Sequence, residues 1–188
     1  MIATDPAQAQ IDAAEPDPRI SYRCAPAEAS GLPDRIVDLA VAAQAAHWFD
    51  WPRYVAEVER VTKPGALVAL VSYGIVQVPG TADAIVARYY RDDAGPFWPP
   101  GRHHVENGYR DLGWPWPELA APTIAMRATW TRDELVGYVT TWSATVKLVE
   151  ARGPAPFEAL REHLAAVWPD GERREIRWPL AIRLARRA

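Results

Sequence analysis

Two apolar runs joined by an amphipathic segment constrain the fold of this chain more than any other feature. The first run, IVDLAVAAQAA, starts at Ile36, and the second, ALVALVSYG, starts at Ala66. Nearly continuous apolar runs of this kind are typical of parallel strands that are buried on both faces. We therefore predict that both runs form strands and that the first lies in the middle of a sheet.

The segment between the two runs has the periodicity of a helix. After Pro52, apolar side chains recur at helical spacing, at Tyr54, Val55, Val58 and Val61. The KPG stretch at 63–65 predicts the end of this helix. A strand, a helix and a second buried strand require parallel pairing through a right-handed crossover, so the pattern predicts an α/β fold.

The flanking segments continue the alternation. Residues Met1 to Thr4 predict a strand, PAQAQIDAA a helix and ISYRCAP a second strand. Thr131 and Glu134 have the spacing of a capping box, which predicts one helix over TWTRDELVGYVTTWSATVKLV. PFEALREHLAAVW predicts another helix, and REIRWPLAIRLARR a terminal strand or hairpin. A chain of 188 residues can bury a proper core, so we expect residues 1–188 to form a single domain.

Composition narrows the classes of function. The chain has 21 basic and 24 acidic residues, a net charge of -3, and so lacks the positive excess that phosphate backbones select. We expect no nucleic-acid partner. No apolar run is long enough to cross a bilayer and the first residues do not resemble a signal peptide, which predicts no membrane association and a cytoplasmic location. Cys24 is the only cysteine, as suits a reducing compartment.

The residues that follow each predicted strand are the first candidates for a site, because ligands of open α/β sheets lie beyond the carboxyl ends of the strands. These residues are Asp5, Ala27 and Glu28, Gln44 to Trp48, and Ser72 to Gly74. An acid such as Asp5 can accept both hydroxyls of a nucleoside ribose, as NAD and S-adenosylmethionine present them. The alternative is that Asp5 only caps the helix that follows it.

Three ordered segments carry a family resemblance. They are ATDPAQAQIDAA, APAEASGLPDRIVDLAVAAQAAHWFD and RVTKPGALVALVSYG. Together they resemble the class I S-adenosylmethionine-dependent methyltransferases, and most closely the type 11 branch with trans-aconitate-methyltransferase-like proteins. The resemblance covers essentially the whole chain and implies a Rossmann-like three-layer sandwich with a mostly parallel sheet. It also implies methyl transfer from S-adenosylmethionine to a small-molecule acceptor.

The resemblance assigns roles to the residues at the strand ends. Asp5 would hold the ribose hydroxyls, and Ala27 and Glu28 would border the adenine. Gln44 would sit beneath the methionine moiety. His47 and Trp48 would face the acceptor.

The chain departs from the family at its first element. The family places a strand and a GxGxG-type loop before the strand that bears the acid, whereas this chain starts at the acid-bearing strand. None of its 11 glycines forms a GxG pair, so no such loop occurs later in the sequence. Backbone amides of such a loop normally receive the charged tail of the cofactor. Without that strand, the strand ending at Asp5 and the strand over Val37 to Val41 have no shared neighbour. We therefore expect an N-terminally truncated methyltransferase whose activity as this chain is in doubt.

Residues 75–126 interrupt the alternation with a Trp-, Pro- and Gly-rich stretch, which predicts a cap inserted in the domain. Within it, Trp98, Trp114 and Trp116 are candidates to line an acceptor pocket, or else they pin loops onto the core. Trp168 and Trp178 lie outside this stretch, and we expect their side chains to pack against the core.

Three basic residues of the cap follow one another in the sequence. Arg102, His103 and His104 can form a positive rim that accepts an acidic group, or else a solvated turn. We expect no metal site, because adjacent histidines on an extended chain point to opposite sides and no acid or cysteine cluster supplies ligand spacing.

Methyl transfer is an in-line displacement at a sulfonium, so alignment and exclusion of water matter most. A carboxylate acceptor, which we favour, needs no base. A hydroxyl or amine acceptor does, and His47 is then the best-placed catalytic base; the alternative is a histidine packed at a strand end. The other functional classes are a noncatalytic binding or dimerisation module derived from a methyltransferase and, last, a nicotinamide-dependent oxidoreductase.

Overall fold

A computed structural model describes all residues from Met1 to Ala188, which form two compact units. Unit 1 comprises Met1–Ser72, Asn107–Pro122 and Ile182–Ala188, and unit 2 comprises Tyr73–Glu106 and Thr123–Ala181. The strands are β1 (Ile2–Asp5), β2 (Ser21–Cys24), β3 (Val37–Ala43), β4 (Thr62–Tyr73), β5 (Glu118–Leu119), β6 (Ala125–Trp130) and β7 (Arg174–Arg186). The helices are α1 (Gln8–Asp12), α2 (Trp51–Val61), α3 (Thr81–Arg88), α4 (Arg102–Glu106), α5 (Arg132–Thr140), α6 (Ser143–Arg152) and α7 (Ala155–Ala165). No helix is both long and apolar enough to span a bilayer.

Unit 1 contains two separate sets of paired strands. β1 pairs with β2 in parallel, with Asp5 opposite Cys24. β3 pairs with β4 in parallel, with Ala43 opposite Val71. Beyond β4 the order continues through β7 to β5, and β5 pairs with β7 in antiparallel orientation. The α/β class is confirmed, and the sheet is mixed.

β3 lies at an edge of its sheet, so the prediction that it is a central strand buried on both faces is wrong. It pairs only with β4, and β1 pairs only with β2, so the two strands lack a shared neighbour. Leu39 and Val41 are 51% and 53% exposed. The sequence of β3 is that of a buried strand, but no strand within residues 1–188 covers its second edge.

Unit 2 has its own hydrophobic core. Its fully buried side chains include Val86, Leu135, Leu148, Trp168 and Ile176. The indole of Trp168 donates to the carbonyl of Glu172 at 2.8 Å. Trp178 is also buried, so the expected packing role of both tryptophans is confirmed.

The segment predicted as one long helix forms two, α5 and α6. The capping box is present, because Thr131 accepts from the amide of Glu134 and Glu134 accepts from the amide of Thr131. At the other end of α5, the hydroxyls of Thr140 and Thr141 donate to the carbonyls of Gly137 and Tyr138. These local bonds compete with the helical ladder, and the chain turns at the buried Trp142.

The predicted cap, residues 75–126, contains α3, α4, β5 and the start of β6. Its residues are divided between the two units, with 75–106 and 123–126 in unit 2 and 107–122 in unit 1. The organisation as a single domain with an inserted cap stays a prediction.

Candidate functional site

Asp5 ends β1 with one carboxylate oxygen engaged. Its Oδ1 accepts from the amide of Ala7 at 2.8 Å, and Ala7 is the residue directly before α1. The bond fixes the side chain in the manner of an Asx turn. Oδ2 has no protein partner. Asp5 therefore does not cap α1, whose N-cap is Ala7 and has no side-chain capping bond. One of its oxygens shapes the turn before the helix, and the other is available to a ligand.

The loop after β2 is tied to the N-terminus and to the middle of α2. Glu28 accepts from the amide of Asp50, the N-cap of α2, at 2.8 Å. Further along, the buried Glu57 accepts from the amide and hydroxyl of Ser30 at 2.8 and 2.5 Å. Bonds from the Arg60 guanidinium, together with those from Ser30, lower the pKa of Glu57 to about 2. This network holds Ala27 and Glu28, both half-buried, at the end of β2.

Gln44 directly follows β3 in a left-handed conformation, with a φ of 53°. Its amide donates to the carbonyl of Val71 at 2.8 Å, which continues the pairing of β3 with β4 by one residue. A residue with a side chain is rarely held at positive φ, and such strain concentrates at functional sites.

His47 lies in the short turn Ala46–Trp48 after β3, where its ring lies against those of Trp48 and Tyr109. Its Nδ1 lies 3.1 Å from the hydroxyl of Tyr109. The neighbouring Trp48 is 65% exposed. The structure therefore gives His47 a specific polar partner that the sequence did not predict.

Tyr109 and Arg183 are the residues of unit 1 that sequence reasoning missed. Tyr109 is fully buried and has a φ of 63°. Arg183, on β7, donates to the carbonyls of Tyr109 and Leu112 at 2.7 and 3.0 Å and to Glu118 at 2.7 Å. The only local signal was the Asn107–Gly108 turn dipeptide, and it indicates a turn without indicating a partner for His47.

Trp114 and Trp116 belong to an aromatic cluster of unit 1. Trp114 stacks on Trp51 with ring centroids 6.1 Å apart, and its ring meets that of Trp116 edge-on at 5.1 Å. The guanidinium of Arg183 lies 4.7 Å from the centroid of the Trp114 ring. Both indole N–H groups, of Trp114 and Trp116, are buried without a hydrogen-bond partner. Such donors call for an acceptor, since a buried unpaired donor is costly.

Arg102 and Trp98 lie in unit 2, where they form a cation–aromatic cluster with Tyr90. The Arg102 guanidinium lies 4.5 Å from the Trp98 ring centroid and 5.5 Å from that of Tyr90. Its Nε donates to the hydroxyl of Tyr90 at 2.8 Å, and that hydroxyl donates to Glu106 at 2.6 Å. Nη1 and Nη2 of Arg102 donate to no protein group, although the side chain is only 19% exposed.

His103 and His104 follow Arg102 in α4, not in an extended segment. Their ring centroids lie 3.9 Å apart. The expectation that the two side chains point to opposite sides is therefore wrong, because the helical backbone separates neighbouring side chains by about 100° rather than 180°.

Comparisons with known proteins identify the family of this chain. The sequence profile of the family described as "Methyltransferase domain" matches residues 1–70. A solved structure from Anaeromyxobacter dehalogenans, assigned as a type II methyltransferase, is 44% identical, with a TM-score of 0.92 over 98% of this chain and 79% of that one. A curated Dictyostelium discoideum protein, whose name assigns it to the methyltransferases, is 27% identical over 100% of this chain and 74% of its own length.

An identity of 44% and a TM-score of 0.92 over nearly the whole chain show that it belongs to the same family as that methyltransferase. The protein belongs to the class I S-adenosylmethionine-dependent methyltransferases and is similar to the type 11 branch in its first 70 residues. Its cofactor is S-adenosylmethionine, which supplies an electrophilic methyl group on a sulfonium.

Proposed function

We propose that this protein methylates a small organic molecule that carries a carboxylate. The observation that carries the donor half of the proposal is the carboxylate of Asp5, with Oδ1 fixed by Ala7 and Oδ2 unpaired at the end of β1. A carboxylate oxygen in this position suits the hydroxyls of a ribose. Asp5 would hold the ribose, Ala27 and Glu28 would border the adenine, and Gln44 would lie beneath the methionine moiety.

The charged tail of the cofactor has no evident cradle within residues 1–188. No two glycines are separated by a single residue, and the left-handed glycines Gly31, Gly65 and Gly80 have nothing within 4 Å of an added Cβ. The residues that we propose thus supply partners for the nucleoside end of the cofactor and, at Gln44, for its methionine chain, but no cradle for the charged amino-acid tail.

We further propose that the missing cradle belongs to a parallel strand, outside residues 1–188, that pairs with both β1 and β3. Two facts support this. Each of these strands has one unpaired edge, and β3 exposes Leu39 and Val41 on a sequence typical of a buried strand. The two relatives reported above also extend beyond the region that this chain matches, since it covers 79% and 74% of them.

For the acceptor we propose candidate residues within each unit taken by itself. They are Arg102, His103, His104 and Trp98 in unit 2, and Trp48, Trp114 and Trp116 in unit 1. Arg102 is the strongest of these, because Trp98 and Tyr90 fix its guanidinium while two of its nitrogens stay unpaired. A guanidinium held in this way binds a carboxylate through two parallel hydrogen bonds. Whether the methyl group goes to that carboxylate or to a hydroxyl or amine of the same molecule depends on His47.

The test is transfer of a labelled methyl group to small organic acids and to their amides, with the chain extended by a strand, a glycine-rich loop and a helix. We expect the acids to be methylated and the amides not. Arg102→Gln should raise KM for the acid at least tenfold without changing donor affinity. Arg161→Gln, which removes an exposed arginine of α7 paired with Glu158, is the matched control. Donor binding without transfer to any acid would favour the noncatalytic module instead.

A further inference from the structure

The contact between His47 and Tyr109 is specific in both distance and ring orientation. Nδ1 of His47 and the hydroxyl of Tyr109 are 3.1 Å apart, and the two rings are within 16° of parallel. Nδ1 and Nε2 lie on different edges of the imidazole, so a partner on Nδ1 leaves Nε2 directed elsewhere. The contact therefore selects one ring orientation of His47.

Tyr109 occupies its place against its backbone preference. A bulky side chain at a φ of 63° is a genuine outlier, and it persists only when its surroundings enforce it. Arg183 enforces it here, because its guanidinium binds the carbonyls of Tyr109 and Leu112 and the carboxylate of Glu118 while only 12% of its side chain is exposed.

A second left-handed residue lies on the other side of the same contact. Gln44, three residues before His47, has a φ of 53° at the carboxyl end of β3. One partner of the hydrogen bond, Tyr109, thus lies on strained backbone, and the other, His47, follows a strained residue by three positions. Such strain is expected near a contact that has a role beyond stability.

We infer that Tyr109 is a positioning residue for His47. Its hydroxyl accepts from Nδ1–H, which holds the neutral imidazole in the tautomer with a lone pair on Nε2, and Arg183 holds Tyr109. This rests on the proposed methyl transfer and deepens it, because a base at His47 serves an acceptor hydroxyl or amine and not a carboxylate. The acceptor would then be an organic acid methylated on another group.

The proton and electron pairs balance in this step. The acceptor O–H or N–H gives its proton to Nε2 of His47, and the electron pair of the acceptor atom forms the new bond to the methyl carbon. The electron pair of the broken S–C bond stays on sulfur, which becomes a neutral thioether. His47 is left as an imidazolium and returns the proton to solvent.

The tautomer can be read from the 188-residue chain by long-range proton–nitrogen NMR on histidine labelled with nitrogen-15, without any donor or acceptor. The chain has four histidines, and His47→Gln assigns the signal. Above the ring's titration we expect His47 to carry its proton on Nδ1. Tyr109→Phe keeps the ring and removes the hydroxyl, and the tautomer ratio should shift roughly fivefold towards Nε2–H, as for the loss of one ordinary hydrogen bond.

Tyr54→Phe is the matched control, because Tyr54 is a buried tyrosine of unit 1 whose hydroxyl has no protein partner. It should leave the His47 signal unchanged. A wild-type ring protonated on Nε2, or an unchanged ratio in Tyr109→Phe, would overturn the inference. The wild-type spectrum tests it even where the variant fails to fold. Failure of the proposed function is a separate observation, since it appears as absent donor binding with the predicted tautomer intact.

Discussion

Removing the carboxylate of Glu57 tests how firmly the loop after β2 is held. Glu57 is 8% exposed and accepts hydrogen bonds from Ser30 and from two nitrogens of Arg60. Glu57→Gln keeps the size of the side chain and removes its charge. We expect this substitution to destabilise the fold through lost charge-assisted bonds, which are stronger than neutral ones.

The magnitude follows from the pKa of Glu57, which lies at about 2 against an ordinary value of 4.5. A difference of roughly two and a half units corresponds to about 3 kcal/mol at 1.36 kcal/mol per unit. Arg60 is more than a third exposed, so solvent screens part of this interaction. We therefore expect Glu57→Gln to lower the free energy of unfolding by about 2 kcal/mol at pH 7.

The pH dependence has a definite sign. Because folding lowers the pKa of Glu57, its stabilisation is fully present above pH 4.5 and is lost as the pH falls towards 2. Urea unfolding of wild type and Glu57→Gln should give free energies that differ by about 2 kcal/mol at pH 7 and about 1 kcal/mol near pH 3. Glu59→Gln, an exposed neighbour on α2, should change neither value. A difference between wild type and Glu57→Gln that is equal at the two pH values would refute the reasoning.

Two further predictions concern His47 and Thr131. In the extended, active protein, His47→Gln should cost roughly 10²-fold in turnover if the acceptor is a hydroxyl or amine, and the wild-type rate should rise with pH as the neutral imidazole forms. A flat pH profile and an unchanged rate would mean that the carboxylate itself is methylated. Thr131→Ala removes the capping box of α5 and should lower stability by about 1 kcal/mol in thermal unfolding, whereas Thr131→Ser should retain most of it.

The elements of this fold follow largely from local signals in the sequence. The periodicity of α2 and the capping box of α5 each sit within a few residues, and both helices form where these signals predict them. Local signals could not predict the edge position of β3. A hydrophobic run indicates that a strand needs to be buried, but it does not show which strands pair with it. The break between α5 and α6 depends on two threonine hydroxyls whose bonds are visible only in the folded chain.

The candidate site was predictable in part. Strand ends are readable from the sequence, and so the positions of Asp5, Gln44 and His47 could be found. Tyr109 lies 62 residues from His47, and Arg183 a further 74, so their contacts arise only from tertiary structure. The contact of Arg102 with the ring of Tyr90, 12 residues earlier in the sequence, also arises only from tertiary structure.

The central claim is that Asp5 holds the ribose of the cofactor while the amino-acid end has no cradle within residues 1–188. Saturation-transfer NMR with S-adenosylhomocysteine tests it on the chain alone, in wild type and in Asp5→Asn, which keeps an oxygen for the amide of Ala7. The control is Asp38→Asn, an exposed residue of β3 paired with Lys63. We expect the strongest saturation at the adenine and ribose protons, retained in Asp38→Asn and weakened in Asp5→Asn by on the order of 1–3 kcal/mol of binding free energy. Equal saturation of the amino-acid tail, or a spectrum that Asp5→Asn leaves unchanged, would contradict it.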